Sequence, residues 1–292
     1  MSAELISTRQ SITNGQRLHD IVELEALLSE DGKYVTEEEY WADYYLGADS
    51  NYEWNNGRLE AKPISDYAQF RLYLWFLGIL NDFLHVNPIG RMIGLEMGFR
   101  MELPHKVAIR KPDLTVVLDT NPVPLRDKDR SYDGIFDLCI ESISDSKPSQ
   151  VTRDVQVKFQ EYAAGGVPEY FILDERQKET AFYQLSAQGI YVPIEPQNRV
   201  IRSQILPGFQ FRFADLYRLP EPPELVDDPV YAGFASPFVR AERKQAERER
   251  NRAEQERQRA EQEHNRAEQE RDRAERYAAL LKSVGIDVET LD

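Results

Sequence analysis

Pro112-Asp113 stands at the head of the apolar run Leu114-Thr-Val-Val-Leu118, and Glu141 closes a second such run, Phe136-Asp-Leu-Cys-Ile-Glu141. Short apolar runs bounded by polar segments predict core strands, so both carboxylates fall at strand ends. An acid there is already half desolvated and is tolerated only where a metal, a cation or a proton neutralises it. A divalent ion shared by the two acids is the simplest solution.

The next segment brings a cation of the protein's own. Residues Val151 to Ala164 have helical periodicity and stop at Gly165-Gly166. At about 100° per residue, Val151, Val155, Phe159 and Tyr162 form one stripe, with Lys158 inside it. Arg153, Gln156 and Gln160 fall on the opposite side, which is expected to be solvated. A lysine on a packing face is costly unless its ammonium meets an acid, so the pattern aims Lys158 at the Asp113/Glu141 end. Taken alone, these residues fit better a turn or cap acceptor at Asp113 and a structural ion pair between Glu141 and Lys158.

Several elements must position these groups. Thr36 with Glu39 is a capping-box pattern that opens a helix through about Tyr45. Tyr52-Glu-Trp, Asn56-Gly57 and Leu59-Glu-Ala read as a hairpin around a tight turn. Asp66 is placed to cap a helix through about Leu84 that is apolar nearly all round, which predicts burial on several sides or a homodimer face. From Ile93 to Leu103 apolar residues alternate strictly with Gly94, Glu96, Gly98, Arg100 and Glu102, the signature of one half-buried strand. After the Lys158 helix come a strand at Glu169 to Leu173 and a hairpin over Thr180 to Gln184 and Tyr191 to Ile194. The order predicts an α/β (α+β) fold, a mixed β-sheet flanked by helices.

At 292 residues the chain has room for one domain of about 200 residues plus an appendage. The expected divisions are an N-terminal extension over 1–32 with a short amphipathic helix around Leu18 to Leu28, a domain over 33–219, a Pro-rich linker over 220–238, a long charged helix over 239–282 and a tail over 283–292 with a small apolar patch at Val284 to Asp287. In the helix Ala246, Ala253, Ala260, Ala267 and Ala274 recur every seven residues, and Arg252/Glu256, Arg259/Glu263 and Arg266/Glu270 are spaced to pair along it. Glutamate at most d positions favours a solvated helix over a strong zipper. No apolar run approaches the roughly 18 residues a membrane span requires, and no leader pattern opens the chain, so a cytoplasmic protein is expected. Cys139, the one cysteine, lies inside an apolar strand and reads as packing; the four histidines have no zinc-ligand spacing. From Val239 onward 13 basic residues face 14 acidic ones, net −1, which leaves −14 of the total −15 on the rest. That acidity argues against a broad nucleic-acid footprint, and Arg100, Lys106, Arg110 and Lys111 form the only local basic group on the Asp113 side.

Tyr52-Glu-Trp-Asn-Asn-Gly57, Arg110-Lys-Pro-Asp113, Cys139-Ile-Glu-Ser142, Thr152 to Tyr162 running into Gly166-Val-Pro-Glu-Tyr-Phe-Ile-Leu-Asp174, and Leu206 to Leu216 together resemble the putative restriction endonuclease family of the PD-(D/E)XK nuclease superfamily. The resemblance covers roughly residues 33 to 217. It implies a restriction-endonuclease-like sheet, followed here by the charged C-terminal helix, and a metal-dependent DNA endonuclease. It implies Asp113, Glu141, Lys158 and Glu53 as catalytic residues, with Asp113 and Glu141 holding Mg²⁺ or Mn²⁺ together with the carbonyl of Ile140 or Ser142. Lys158 would orient the attacking water or stabilise developing charge, Glu53 would be the first motif's acid and complete the metal site, and Arg110 and Lys111 would contact phosphate. Three positions depart from the family pattern: Ile143 stands where the superfamily lysine would follow Glu141, Arg58 follows the hairpin glycine where relatives carry an acid, and Ala68 replaces an early helical histidine. These departures and the acidic charge motivate an alternative, a catalytically silent scaffold that binds a protein partner through its C-terminal helix.

Overall fold

The computed structural model describes residues 29–48, 50–63, 65–94, 97–143 and 148–283. The segment Leu18 to Leu28, the pair Leu95 and Glu96, and Val284 to Asp287 lie outside the described residues. The chain divides into two compact units, Met1–Ala235 and Ser236–Asp292.

Local signals set the first elements of the larger unit. Thr36 Oγ1 accepts from the Glu39 amide at 3.1 Å and Glu39 Oε2 accepts from the Thr36 amide at 2.7 Å, opening helix α1 (Glu37–Glu39), which runs on as a π-helical turn over Tyr40–Tyr44. Strands β1 (Tyr52–Asn55) and β2 (Arg58–Ala61) are joined by Asn56 and Gly57 at φ 48° and 95°, the left-handed pair that a tight hairpin needs. Asp66 caps the Gln69 amide at 2.8 Å and starts α2 (Tyr67–Val86).

Two sheets carry the rest. The first has the order β2-β1-β5-β4-β7, with β4 at Gly98–Leu103, β5 at Lys106–Arg110 and β7 at Ser131–Tyr132. The second runs β11-β10-β9-β8-β6-β3, with β3 at Gly90–Gly94, β6 at Leu114–Leu118, β8 at Leu138–Ser142, β9 at Glu169–Leu173, β10 at Ala181–Leu185 and β11 at Tyr191–Pro193. Within it β6 and β8 are antiparallel, with Leu114 opposite Ile140, while β8 and β9 are parallel. Side chains alternate between faces along a strand. Leu114, Val116, Leu138 and Ile140 therefore pack with Phe76, Ile79, Leu80 and Phe83 of α2, whereas Val117, Cys139 and Ile143 pack with Phe99, Tyr162 and Tyr170. Asp113 and Glu141 have the odd-numbered parity of that second face.

Helix α3 closes over it, α-helical at Pro148–Thr152, π-helical at Arg153–Lys158 and α-helical again at Phe159–Gly165. A π-turn aligns residues five apart rather than four. That phase change corrects the expectation for Arg153, which turns inward beside Lys158 and is buried, while Gln156 and Gln160 stay exposed.

Three further corrections follow from packing. The alternating run is not one strand: β3 pairs with β6 in the second sheet and β4 with β5 in the first. Gly98 makes the change of sheet tight, since a Cβ there would meet the Tyr45 ring at 3.0 Å and the Arg110 carbonyl at 3.1 Å. Helix α2 buries one face only; Tyr67, Phe70 and Leu74 are exposed along the other. The proline-rich stretch is not bare linker, because α4 (Asp215–Arg218) is followed by α5 (Pro222–Asp227), and Leu225, Tyr231, Phe234 and Ala235 join the α2 core. Strands β12 (Val200–Arg202) and β13 (Gln210–Arg212) form a separate ribbon.

The smaller unit contains α6 (Pro237–Ser283), 47 residues with none buried, about 70 Å long at 1.5 Å per residue. Arg252–Glu256 at 3.3 Å and Arg266–Glu270 at 3.2 Å pair along it as their spacing predicts. Among the described residues, no helix is long and apolar enough to cross a membrane.

Candidate active site

The path from β5 through Lys111-Pro112 into β6 crosses from one sheet to the other, and Asp113 stands just past the crossing. Its Oδ2 accepts from the Ser142 amide at 2.7 Å, tying the head of β6 to the end of β8. Glu141, 1% exposed, lies on the same face of the neighbouring strand. Lys158, also 1% exposed, sends its Nζ to 3.0 Å from Glu141 Oε1, 3.2 Å from Glu53 Oε1 and 3.1 Å from Asp154 Oδ1. Tyr162 donates to Glu141 Oε1 at 2.7 Å. The four residues singled out from sequence thus meet at one seam, with Lys158 bridging Glu141 and Glu53, while Asp113 is held by other partners.

One of those partners carried no sequence signal. Lys62 Nζ lies 2.7 Å from Asp113 Oδ1 and donates to the Lys111 carbonyl at 2.5 Å. A lysine one residue past a strand is ordinarily solvated, and this one gains its partner only because the hairpin packs against the sheet crossing. Asp154 is the second group missed; its (i, i+4) spacing to Lys158 was the available signal.

Glu53 also belongs to a second network. With Trp54 opposite Ile109 and Glu53 opposite Glu60, the register places Glu60, Glu53 and Arg110 on one rung across β2, β1 and β5. Arg110 is fully buried: Nε lies 2.6 Å and Nη2 2.9 Å from the two Glu161 oxygens, and Nη1 contacts Glu60 and, at 3.2 Å, Glu53. Lys106 pairs with Glu161 as well. The Lys111 amide donates to Glu53 Oε1 at 2.9 Å, and Lys111 Nζ contacts the Tyr45 carbonyl and Asn51 Oδ1 at 3.0 Å each. The expected phosphate contact by Arg110 is therefore corrected: three carboxylates occupy its donors in a site closed to solvent.

The two acids that share Lys158 are driven in opposite directions. Burial alone would raise Glu53, but Lys158 and Arg110 hold it well below the usual carboxylate range. For Glu141 burial prevails, reinforced by Asp113 and Asp154 and opposed by Lys158, and pushes it up to about 8. Lys158 stays above the ordinary lysine value because Asp154, Glu141 and Glu53 outweigh its burial. Lys62 is likewise raised, Asp113 and Glu141 overcoming desolvation. Carboxyls separated in this way are the raw material of acid–base chemistry.

The Asp113/Glu141 pair, at the ends of the adjacent inner strands β6 and β8, offers the all-oxygen donor chemistry of a divalent-cation site, although Lys62 and the Ser142 amide already hold the two Asp113 oxygens and Lys158 and Tyr162 hold Glu141 Oε1. Among the described residues no three His, Cys, Asp or Glu side chains gather as a ligand cluster, so the protein would supply two carboxylates.

A family model described as Uma2, "Putative restriction endonuclease", matches residues 37–216. The crystal structure of a putative nuclease belonging to DUF820 from Anabaena variabilis ATCC 29413 is similar at 16% identity and a TM-score of 0.49, over 63% of this chain and 98% of that one. No curated protein matches the chain.

Proposed function

Because the chain belongs to the Uma2 family, described as putative restriction endonuclease, we propose that it hydrolyses phosphodiester bonds of DNA at the seam between its two sheets, with Asp113 and Glu141 holding Mg²⁺ or Mn²⁺. The observation that supports this best is the shared face of Asp113 and Glu141 on adjacent strand ends, with the Lys158 ammonium 3.0 Å from Glu141. The ion, when bound, supplies Lewis-acid charge to a phosphoryl oxygen and lowers the pKa of a water. The chain's own groups do the rest. Lys158 fixes the Glu141 carboxylate and lends positive charge to the place where negative charge develops. Lys62 restrains Asp113 and offers a cation to the strand backbone. Glu53, already committed to Lys158, Arg110 and the Lys111 amide, positions Lys158 instead of ligating the ion.

The test is cutting of supercoiled plasmid by the full chain in Mn²⁺. Conversion to nicked or linear DNA is expected, with loss of at least a hundredfold in Asp113→Ala; cutting undiminished in that variant sinks the site. The silent-scaffold reading draws on the same contacts, since Lys62 already neutralises Asp113 and burial pushes Glu141 up to about 8. Calorimetric Mn²⁺ binding that disappears in Glu141→Gln counts against the scaffold, and no Mn²⁺ binding at all supports it. The proposal carries a cytoplasmic enzyme with DNA as partner. It includes a homodimer through the exposed stripe Tyr67, Phe70 and Leu74 and a protein partner along α6, and sedimentation of the full chain reads the first.

A further inference from the structure

Both oxygens of Asp113 are engaged, but by partners of different mobility. Oδ2 accepts from the Ser142 backbone amide at 2.7 Å, a group fixed in β8. Oδ1 is held by the Lys62 ammonium at 2.7 Å, which also donates to the Lys111 carbonyl at 2.5 Å. An ion that takes Asp113 as a ligand therefore has a side-chain cation to displace.

This pair differs from the others at the seam in exposure and in the number of its partners. The side chain of Asp113 is 26% exposed and that of Lys62 9%, whereas those of Glu141 and Lys158 are 2% and 1% exposed. Lys158 lies among Glu53, Glu141 and Asp154; Lys62 pairs with a single carboxylate among the described residues. The main chain around Lys62 is pinned on both sides. Its own amide donates to the Asn51 carbonyl at 2.9 Å, and Arg153 Nη1 donates to the Ala61 carbonyl at 3.0 Å. Movement is thereby confined to the side chain, a flexible aliphatic stem ending in a compact, rotatable ammonium. A lysine so placed can exchange one anion for another nearby, and phosphate is the anion that the proposed reaction brings.

Resting on the nuclease reading above, we propose that Lys62 is the exchangeable cation of the site: it occupies Asp113 Oδ1 until a divalent ion takes that oxygen, and its ammonium then turns to a phosphate of the bound DNA strand. Lys158, sealed among its acids, stays in place through the exchange. Lys62 is thus a brake on metal binding, because an ion meets only the fraction of sites in which the acid is free. Once released, it becomes a substrate contact.

Acetylation of lysines in the full chain, read by mass spectrometry with exposed Lys128 as the internal reference, follows the exchange without any substitution. Lys62 is expected to react slowly in metal-free buffer and at least fivefold faster in saturating Mn²⁺, with Lys128 unchanged. With Ca²⁺ in place of Mn²⁺, adding a blunt duplex, its integrity checked on a gel, is expected to restore the protection. Asp113→Ala, which removes the acid, should leave Lys62 reactive without metal and indifferent to Mn²⁺. By calorimetry, Lys62→Met is expected to bind Mn²⁺ at least tenfold more tightly than the unsubstituted chain, and Lys62→Arg, which keeps the charge at Asp113, to stay close to it. A residue that only supports the fold would weaken binding when replaced. Lys62 reactivity that ignores Mn²⁺, or Mn²⁺ binding no tighter in Lys62→Met, overturns the exchange; protection that DNA does not restore overturns the phosphate contact. Either result alongside Mn²⁺-dependent plasmid cutting leaves hydrolysis standing. Mn²⁺ binding that appears only in Lys62→Met, with no cutting by the unsubstituted chain, does the reverse: Lys62 holds the acid and the nuclease reading falls.

Discussion

Replacing Lys158 by methionine keeps the stem's volume and removes one buried charge from among three acidic side chains, Glu53, Glu141 and Asp154. At 3.1 and 3.2 Å from Asp154 and Glu53, each attraction is worth about 5 kcal/mol at an effective dielectric of 20, while Glu141, pushed up to about 8, is mostly protonated at pH 7 and adds little. Most of that offsets the desolvation of the ammonium, and breaking a buried pair costs about 3–5 kcal/mol net. The loss has a ceiling, because an orphaned carboxyl can take up a proton. From an ordinary pKa near 4.5, protonation at pH 7 costs about 3.4 kcal/mol and at pH 5 about 0.7 kcal/mol. The variant's carboxyls are raised above their unfolded value, so their contribution is intact below about pH 4.5 and is lost as pH rises. Lys158→Met is therefore expected to lose about 3 kcal/mol at pH 7 and about 1 kcal/mol at pH 5. Urea unfolding followed by tryptophan fluorescence measures this cleanly, because Trp41, Trp54 and Trp75, all three tryptophans of the chain, lie in the larger unit and none in α6. A loss below about 1 kcal/mol at pH 7, or a loss that does not change with pH, refutes the reasoning.

Other perturbations probe neighbouring networks. Arg110→Lys keeps the charge but loses the two-pronged contact with Glu161; a destabilisation of at least about 1.5 kcal/mol is expected in the same urea assay, and a neutral result would deny the guanidinium its bridging role. Burial raises Glu169 to about 7 despite hydrogen bonds from Gln204, Ser203 and Ile205. Its stability contribution is full below pH 4.5 and falls as pH climbs to 7, by up to about 3 kcal/mol. Glu169→Gln should flatten that slope in thermal melts across the interval, and an unchanged slope argues that the group stays ionised.

Much of the site was legible because its signals are local. Two short apolar runs bounded by polar segments put Asp113 and Glu141 at strand ends, and helical spacing turned Lys158 inward. What escaped depends on contacts between distant segments or on a change of period. Lys62 finds Asp113 across 51 residues and a sheet boundary, and nothing beside it in the chain marks that partner. Arg110 reads as a solvated charge until β1, β2 and α3 deliver Glu53, Glu60 and Glu161 around it. Arg153 was assigned to solvent by a spacing of about 100° per residue, which a π-turn does not obey. The run from Ile93 to Leu103 keeps its alternation across a change of sheet, so period alone could not reveal that it serves two.

That change of sheet bears on the order in which the molecule becomes competent. The first sheet contributes Glu53, the second contributes Asp113 and Glu141, and the lysines that bind them sit on a hairpin end and on a helix laid across both. Neither sheet, folded by itself, holds a complete set. A nascent or partly unfolded chain therefore has its acids and its cations on separate pieces, and the charge balance at the seam closes only when the two docked layers are in final register. The site proposed above is thereby left unassembled in immature copies.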